Sequence, residues 1–199
     1  MGPASDVTDD RRHRRRERTR AELSEVALRL ALERGYEHVT ADDIAEAADI
    51  STRTFFRYFA TKDDVFFLDR EERLGFLREA IRARPHDEPV RTSVREAILS
   101  LADSFEQDRE QVLARARLVQ ETPSLRSRSA DHMSEWQRLI ADAVAERRGV
   151  DPDRDLRAQV VAATTVGAMQ AAFNVWQADD GAGTIHDLVA EALELIAED

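Results

Sequence analysis

The sequence predicts an all-α fold of about nine helices, arranged as a small three-helix N-terminal module and a larger helical bundle. Apolar residues recur at the three- and four-residue spacing of amphipathic helices, and no segment alternates apolar and polar residues for long enough to form a strand. The chain has 199 residues, of which 42% are hydrophobic and 35% charged, so it is long and apolar enough to bury a core.

The N-terminal module begins with a helix predicted over residues 16–34, for which Gly35 is a natural C-terminal stop. Thr40, with Asp43 three residues later, caps a second helix over residues 41–48.

Hydroxyl residues also begin the next two helices. The third helix begins at Ser51, and the fourth begins at Thr61 and extends to about residue 83, before Pro85. The remaining helices are predicted over residues 90–107, 108–121, 123–148, 152–178 and 184–197.

The charge of the chain is distributed unevenly. The net charge is −11, yet residues 11–20 carry seven arginines against one glutamate, and residues 51–62 carry three basic side chains and no acid. Residues 71–199 sum to −9. This asymmetry predicts a small anion-binding end on an acidic body that repels nucleic acid, although the arginine run alone is equally typical of a solvated tail. Lys62 is the single lysine among 29 basic residues.

Several classes of protein are disfavoured by what the sequence lacks. Without cysteine there is no disulfide framework, thiolate metal site or cysteine nucleophile. The histidines are scattered and no phosphate-binding glycine loop or nucleophile motif occurs, so we predict no enzyme, no cofactor and no metal site. Residues 158–178 are uncharged, but their six polar side chains favour the centre of a bundle over a membrane span. Residues 1–10 are polar and unlike a secretory signal, and we expect a cytoplasmic protein.

Residues 40–62 (TADDIAEAADISTRTFFRYFATK) predict two short helices joined by a tight turn. The apolar face of this hairpin is formed by Ile44, Ala45, Ala48, Ile50, Phe55 and Phe59. The second helix leaves outward Thr52, Arg53, Phe56, Arg57 and Tyr58. A rigid pair of this kind is a helix-turn-helix, whose second helix enters the major groove of double-stranded DNA and contacts base edges. An ordinary helical hairpin, whose aromatic residues serve only the core, is the alternative.

From about residue 18 to residue 65 the sequence resembles the TetR family of bacterial repressors. The positions that agree are Glu33-Arg34-Gly35-Tyr36, Thr40, Asp43-Ile44-Ala45, Ala48, Ser51, Thr54, the aromatic cluster of residues 55–59 and Lys62. The resemblance implies that Thr40, Tyr58 and Lys62 contact phosphates, Lys62 at the N-terminus of the fourth helix. It also implies that Thr52, Arg53 and Arg57 contact bases. The predicted DNA-binding residues are Arg16, Arg18, Thr40, Ser51, Thr52, Arg53, Thr54, Phe56, Arg57, Tyr58 and Lys62.

Two positions depart from the family pattern. Asp49 stands where the turn usually has glycine. Aspartate tolerates a left-handed backbone better than most residues, so we expect the turn to form at a cost of about 1 kcal/mol. Phe56 replaces the more usual tyrosine, so one family contact to DNA lacks its hydroxyl.

Three domains are predicted: a basic flexible arm over residues 1–15, a helix-turn-helix domain over 16–61, and a helical ligand-binding and dimerisation domain over 62–199. The arm would extend the first helix or lie in the minor groove, adding salt-dependent affinity. In the family the last two long helices pair across a two-fold axis, and residues 152–178 and 184–197 fit that place. The resemblance therefore implies a homodimer whose heads, about 34–36 Å apart, bind a palindromic operator.

An effector site is predicted among the aromatic and methionine residues of the bundle. Residues of these types at helical spacing more often form plain core, but the family resemblance implies an effector cavity. Residues 115–128 resemble a subgroup of actinobacterial regulators that bind acyl-CoA-like ligands, and the resemblance implies that Arg117, Arg126 and Arg128 serve an anionic head group. The predicted ligand-binding residues are Arg117, Met133, Trp136, Met169, Phe173 and Trp176.

The sequence thus predicts a homodimeric transcriptional regulator, in particular a repressor that a small apolar or amphipathic effector releases from its operator. An activator, or a regulator without an effector, is the first alternative. The second alternative is a helical interaction module whose arginine arm binds RNA or an acidic partner, and it predicts salt-sensitive binding without sequence preference.

Overall fold

The computed structural model describes residues 4–68, 70–106 and 108–198. Within these ranges the chain forms nine α-helices and no strand, as predicted. The helices are α1 Ala4–Arg34, α2 Ala41–Ala47, α3 Thr52–Tyr58, α4 Arg70–Arg82, α5 Val90–Glu106, α6 Arg109–Glu121, α7 Pro123–Arg148, α8 Leu156–Ala178 and α9 Ile185–Glu198. Two 3₁₀ turns, Tyr36–His38 and Asp63–Phe67, complete the described structure. The chain divides into two units, Met1–Leu68 and Asp69–Asp199, later than the boundary predicted at residue 61.

The N-terminal unit is organised around α1. This helix packs against α2 and both 3₁₀ turns, and α2 packs against α3. Helices of seven residues are too short to be stable alone, so α2 and α3 depend on this packing. The core of the unit consists of Leu23, Ala27, Leu28, Leu30, Ala31, Tyr36, Val39, Ile44, Ala45, Phe55, Phe59, Val65 and Phe66.

Two helix starts in this region differ from the prediction. The segment predicted as a flexible arm is helical from Ala4 onward, because no glycine or proline interrupts the chain between there and Gly35. The fourth helix begins at Arg70 rather than at Thr61. The intervening residues close instead into the 3₁₀ turn Asp63–Phe67, whose Val65 and Phe66 are fully buried in the core.

The C-terminal unit is a bundle of α4 to α9. Helix α8 packs against α7 and α9, α5 packs against α4 and α9, and α6 packs against α7. Helix α8 begins at Leu156, later than the predicted residue 152, because the carboxylate of Asp155 accepts a hydrogen bond from the Arg157 backbone N–H and caps the helix. Within the described residues no helix is long and apolar enough to cross a membrane.

The connection between α4 and α5 is held by Glu88. Its carboxylate accepts hydrogen bonds from Arg84 Nε at 2.9 Å and from Ser93 Oγ at 2.8 Å. These bonds, that from Arg84 foremost, lower the pKa of Glu88 to about 2. Arg147 of α7 donates to the carbonyl oxygens of Arg84 and Glu88. The helix predicted to end before Pro85 does end there, at Arg82, and the segment that leads to α5 is held by several hydrogen bonds.

Candidate nucleic-acid interface

Helix α2 is anchored at its start by the predicted cap. The Thr40 hydroxyl accepts a hydrogen bond from the Asp43 N–H at 3.1 Å, and the Thr40 N–H donates to the Asp43 carboxylate at 2.8 Å. The bond from the Thr40 hydroxyl, followed by that from its N–H, holds the pKa of Asp43 below its usual range. Thr40 is thus engaged in a capping box, and its predicted contact with a phosphate stays a prediction.

The turn between α2 and α3 has a left-handed residue at the position where the family resemblance implies one. Asp49 has a φ of 54°, and the next N–H, that of Ile50, donates to the Ala45 carbonyl at 3.0 Å. This bond ends α2 and directs the chain into α3. Aspartate therefore takes the conformation for which the family pattern has glycine.

Helix α3 buries one face and exposes the other. The Ser51 hydroxyl caps it by accepting from the Thr54 N–H at 3.2 Å. Phe55 is fully buried, and its ring lies 5.5 Å from that of Phe59. Of the residues on α3 that are predicted to contact DNA, three are exposed, namely Arg53, Phe56 and Arg57. The other three, Thr52, Thr54 and Tyr58, are half-buried.

Tyr58 lies in a cationic setting between α3 and α1. The Arg57 guanidinium carbon lies 5.2 Å from the centre of the Tyr58 ring. A hydrogen bond from Arg57 foremost, with a further one from Thr19 and the charge of Arg15, lowers the pKa of the Tyr58 phenol. The positive charge that acts on Tyr58 is also suited to attract a phosphate.

Lys62 makes internal contacts that the sequence did not predict. Its Nζ donates to the carbonyl oxygens of Tyr36 at 3.1 Å and Val39 at 2.9 Å, and it lies 3.7 Å from the centre of the Tyr36 ring. The Tyr36 hydroxyl in turn donates to the Asp63 carboxylate. Lys62 therefore joins the two 3₁₀ turns of the N-terminal unit. Its expected role at the N-terminus of the fourth helix needs correction, since α4 begins only at Arg70.

The basic residues of α1 divide into exposed and packed ones. Arg16 and Arg18 are exposed, and Arg18 forms an ion pair with Glu22 at 3.0 Å. Arg20 is half-buried, with its guanidinium carbon 5.3 Å from the centre of the Phe59 ring. Arg20 was not among the predicted DNA-binding residues, because only its packing distinguishes it from the neighbouring arginines.

Five of the six predicted ligand-binding residues lie in or against the core of the C-terminal unit, and the sixth lies at its surface. Trp136 and Trp176 belong to the core of the C-terminal unit, and Met133, Met169 and Phe173 pack against that core. Trp176 is fully buried, and among the described residues no group accepts a hydrogen bond from its Nε1. The sixth residue, Arg117, is exposed.

Around these residues the structure shows an aromatic chain and an ion pair. The Phe173 ring lies 5.6 Å from Trp176 and 5.1 Å from Phe105, and Arg73 lies 3.8 Å from the centre of the Phe105 ring. Arg117 pairs with Asp180 at 2.6 Å, so its cation is engaged at the surface.

A groove that the sequence analysis missed lies between α5, α8 and α9. Its volume is about 200 Å³, and its walls combine apolar side chains with two arginines. Arg91 donates to the Ile196 carbonyl at 2.7 Å, and Arg95 pairs with Glu194 at 3.2 Å. No sequence signal marks the groove, because its residues come from three helices far apart in the chain.

Comparison with known proteins places these two units in one family. Residues 23–67 match the family model described as bacterial regulatory proteins, tetR family, and residues 88–199 match the one described as MftR C-terminal domain. A protein of Mycobacterium tuberculosis, named as the mycofactocin biosynthesis transcriptional regulator MftR, is 31% identical over 187 residues, covering 91% of this chain and 94% of that protein. The HTH-type transcriptional regulator TcmR of Streptomyces glaucescens is 35% identical over 158 residues, covering 76% of this chain and 70% of that protein.

Solved structures show the same fold. The repressor FadR of Thermus thermophilus, in complex with lauroyl-CoA, has a TM-score of 0.60 at 23% identity, covering 90% of this chain and 93% of that chain. FadR of Bacillus subtilis, in complex with stearoyl-CoA, has a TM-score of 0.59 at 17% identity, covering 88% of this chain and 96% of that chain.

Proposed function

Because the chain belongs to the TetR family of bacterial transcriptional regulators, we propose that it is a homodimeric repressor, released from a palindromic operator by a small amphipathic effector. The observation that carries the proposal is the exposed face of α3. Arg53, Phe56 and Arg57 project from a helix whose start is capped and whose opposite face is buried. A guanidinium matches the O6 and N7 acceptors of guanine, and a rigid helix presents it at a defined position in the major groove.

Selection from a random duplex library tests this proposal. We expect one palindrome, and we expect the affinity of the selected site to fall steeply with salt. Arg53→Ala should weaken the binding free energy by about 1–3 kcal/mol and relax the base preference at particular positions of the site. The control Arg29→Ala removes the same charge from an exposed position on α1 and should leave base preference unchanged. Salt-sensitive binding with no selected motif would instead favour the interaction module.

The proposed dimer is supported by an apolar stripe on α8. Leu156, Val160 and Val175 are 76%, 50% and 55% exposed, and the small residues Gly167 and Ala171 lie between them at helical spacing. A continuous exposed apolar face of this kind is typical of an interface, and a second copy of the same helix is complementary to it.

Analytical ultracentrifugation tests the dimer. Val175→Glu places a charge in the stripe and should give a monomer that binds a palindrome without cooperativity. Val150→Glu is the matched control, because Val150 is also exposed but lies outside α8. A dimeric Val175→Glu variant would refute this interface.

The proposed effector is acyl-CoA-like, with an anionic head and an apolar tail. It is supported by the acyl-CoA complexes of the two FadR structures and by the indole N–H of Trp176 in the aromatic core, which has no acceptor among the residues that the structure describes. An acceptor on the effector would satisfy that N–H.

Thermal shift with lauroyl-CoA, laurate and free CoA tests the effector class. Stabilisation by lauroyl-CoA alone, reduced in Trp176→Phe, is the expected result. If lauroyl-CoA still stabilises Trp176→Phe but no longer stabilises Arg91→Ala, the effector binds instead in the groove between α5, α8 and α9. No stabilisation by any of the three compounds would refute the acyl-CoA-like effector.

A further inference from the structure

A hydrogen bond connects the two helices of the DNA-binding hairpin. Thr52, the first residue of α3, donates from Oγ1 to Oδ1 of Asp42, which lies in the first turn of α2. Asp42 is exposed and Thr52 is half-buried. Among the described residues neither side chain makes another hydrogen bond or ion pair. The orientation of Thr52 therefore depends on one partner.

This bond determines what Thr52 can offer to a base. Threonine is branched at Cβ, so fixing the direction of its hydroxyl also fixes the direction of its methyl group. The hydroxyl has a single proton, and here that proton is donated to the carboxylate. Thr52 can therefore not donate to the base acceptors of the major groove without giving up Asp42. Its methyl group stays available for apolar contact with the C5-methyl of thymine.

The charge of Asp42 favours a role in selectivity over one in affinity. A carboxylate on the hairpin that enters the groove is repelled by phosphates, and that repulsion is the same for every DNA sequence. The bond to Thr52, in contrast, acts at one base position.

We propose that Asp42 is a positioning residue for base recognition: it holds Thr52 in one rotamer, so that Thr52 selects thymine through its methyl group. The inference rests on the proposed function, because it takes α3 as the helix in the major groove. It adds to that function a specificity-determining residue on α2.

Base preference in competition binding tests the inference. The wild-type protein should prefer thymine by about tenfold at one position of each half-site. Asp42→Ala should reduce this preference to about twofold, while preference at the other positions is kept. Asp42→Asn should keep the tenfold preference for thymine, because the amide oxygen of asparagine still accepts the hydroxyl proton of Thr52. Thr52→Ser should lose it, because serine keeps the hydroxyl and lacks the methyl group.

A charge control separates positioning from electrostatics. Glu46 is also exposed on α2, so Glu46→Gln removes one negative charge without touching Thr52. Glu46→Gln and Asp42→Asn should both tighten binding to all sequences alike. Circular dichroism melting confirms that each variant is folded.

The positioning role of Asp42 and the proposed function as a repressor can be refuted separately. An unchanged base profile in Asp42→Ala, or a thymine preference retained by Thr52→Ser, would overturn the positioning role while operator binding stands. A wild-type protein that selects no motif would overturn the proposed function, and this inference with it.

Discussion

Replacing Lys62 with methionine should destabilise the N-terminal unit. Methionine keeps much of the side-chain length and removes the ammonium. Two carbonyl oxygens, those of Tyr36 and Val39, lose donors at 3.1 and 2.9 Å, and the Tyr36 ring loses a cation 3.7 Å from its centre. The link between the two 3₁₀ turns is then lost.

The size of the effect follows from these contacts. A hydrogen bond to a charged group contributes about 1.5–3 kcal/mol, and a cation over an aromatic ring about 0.5–2 kcal/mol. One ammonium makes all three contacts and Lys62 is only half-buried, so the contributions do not add. We expect a loss of about 2–3 kcal/mol in the free energy of unfolding of this unit, which is a factor of about 30–150.

Hydrogen exchange with mass spectrometry measures this loss locally. Amides of α2 and α3 should exchange faster by the factor given above. Both tryptophans, Trp136 and Trp176, lie in the C-terminal unit, so the denaturation midpoint from tryptophan fluorescence should stay unchanged. Arg29→Met is the control, because it removes a positive charge from an exposed position of the same unit.

A different pattern would refute the reasoning. If Lys62→Met exchanges like Arg29→Met but binds every DNA sequence more weakly with a reduced salt slope, the ammonium serves a phosphate. The internal contacts would then contribute little to stability.

Three further predictions concern caps, pH and backbone conformation. Thr40→Ala should cost about 1 kcal/mol through loss of the α2 cap, measured by hydrogen exchange in α2. Glu88 has a pKa of about 2 in the folded chain, so its stabilisation is present above its unfolded pKa of 4.5 and is lost as pH falls towards 2. Glu88→Gln should weaken that dependence in urea titrations at pH 5 and pH 3, and an unchanged dependence would contradict it. Gly181→Ala should destabilise more than Gly183→Ala by about 1 kcal/mol, because both have positive φ but only the first places a Cβ 2.5 Å from Leu113. Equal melting temperatures of the two variants would argue against the clash.

Features that depend on neighbours in the chain were predictable from the sequence. The Thr40–Asp43 cap follows from local chemistry, whereas the left-handed position of Asp49 is what the family resemblance implies; both are found in the structure. The helix-turn-helix and the exposed face of α3 followed from helical spacing together with family resemblance.

Features that depend on tertiary packing were not predictable. The partners of Lys62 lie 23 and 26 residues away, and the bond from Thr52 to Asp42 spans ten residues. The late start of α4 depends on burial of the turn Asp63–Phe67, which no capping signal reveals. Helical spacing put Trp176 on one stripe with Met169 and Phe173, but spacing alone does not distinguish a core residue, which Trp176 is, from a ligand contact.

On α3 the residues that pack the helix differ from those that are exposed, and this separation affects how the sequence of this regulator can diverge. Phe55 and Phe59 are buried and carry the packing of the helix, whereas Arg53 and Arg57 are exposed; Phe56 is 51% exposed, and its ring lies 5.4 Å from that of Phe55. Surface substitutions of this kind usually change stability by less than about 0.5 kcal/mol. After gene duplication, a copy could therefore acquire a new operator through the exposed positions while its fold stays the same. The same positions are where a designed library would be randomised to redirect the protein to a chosen promoter.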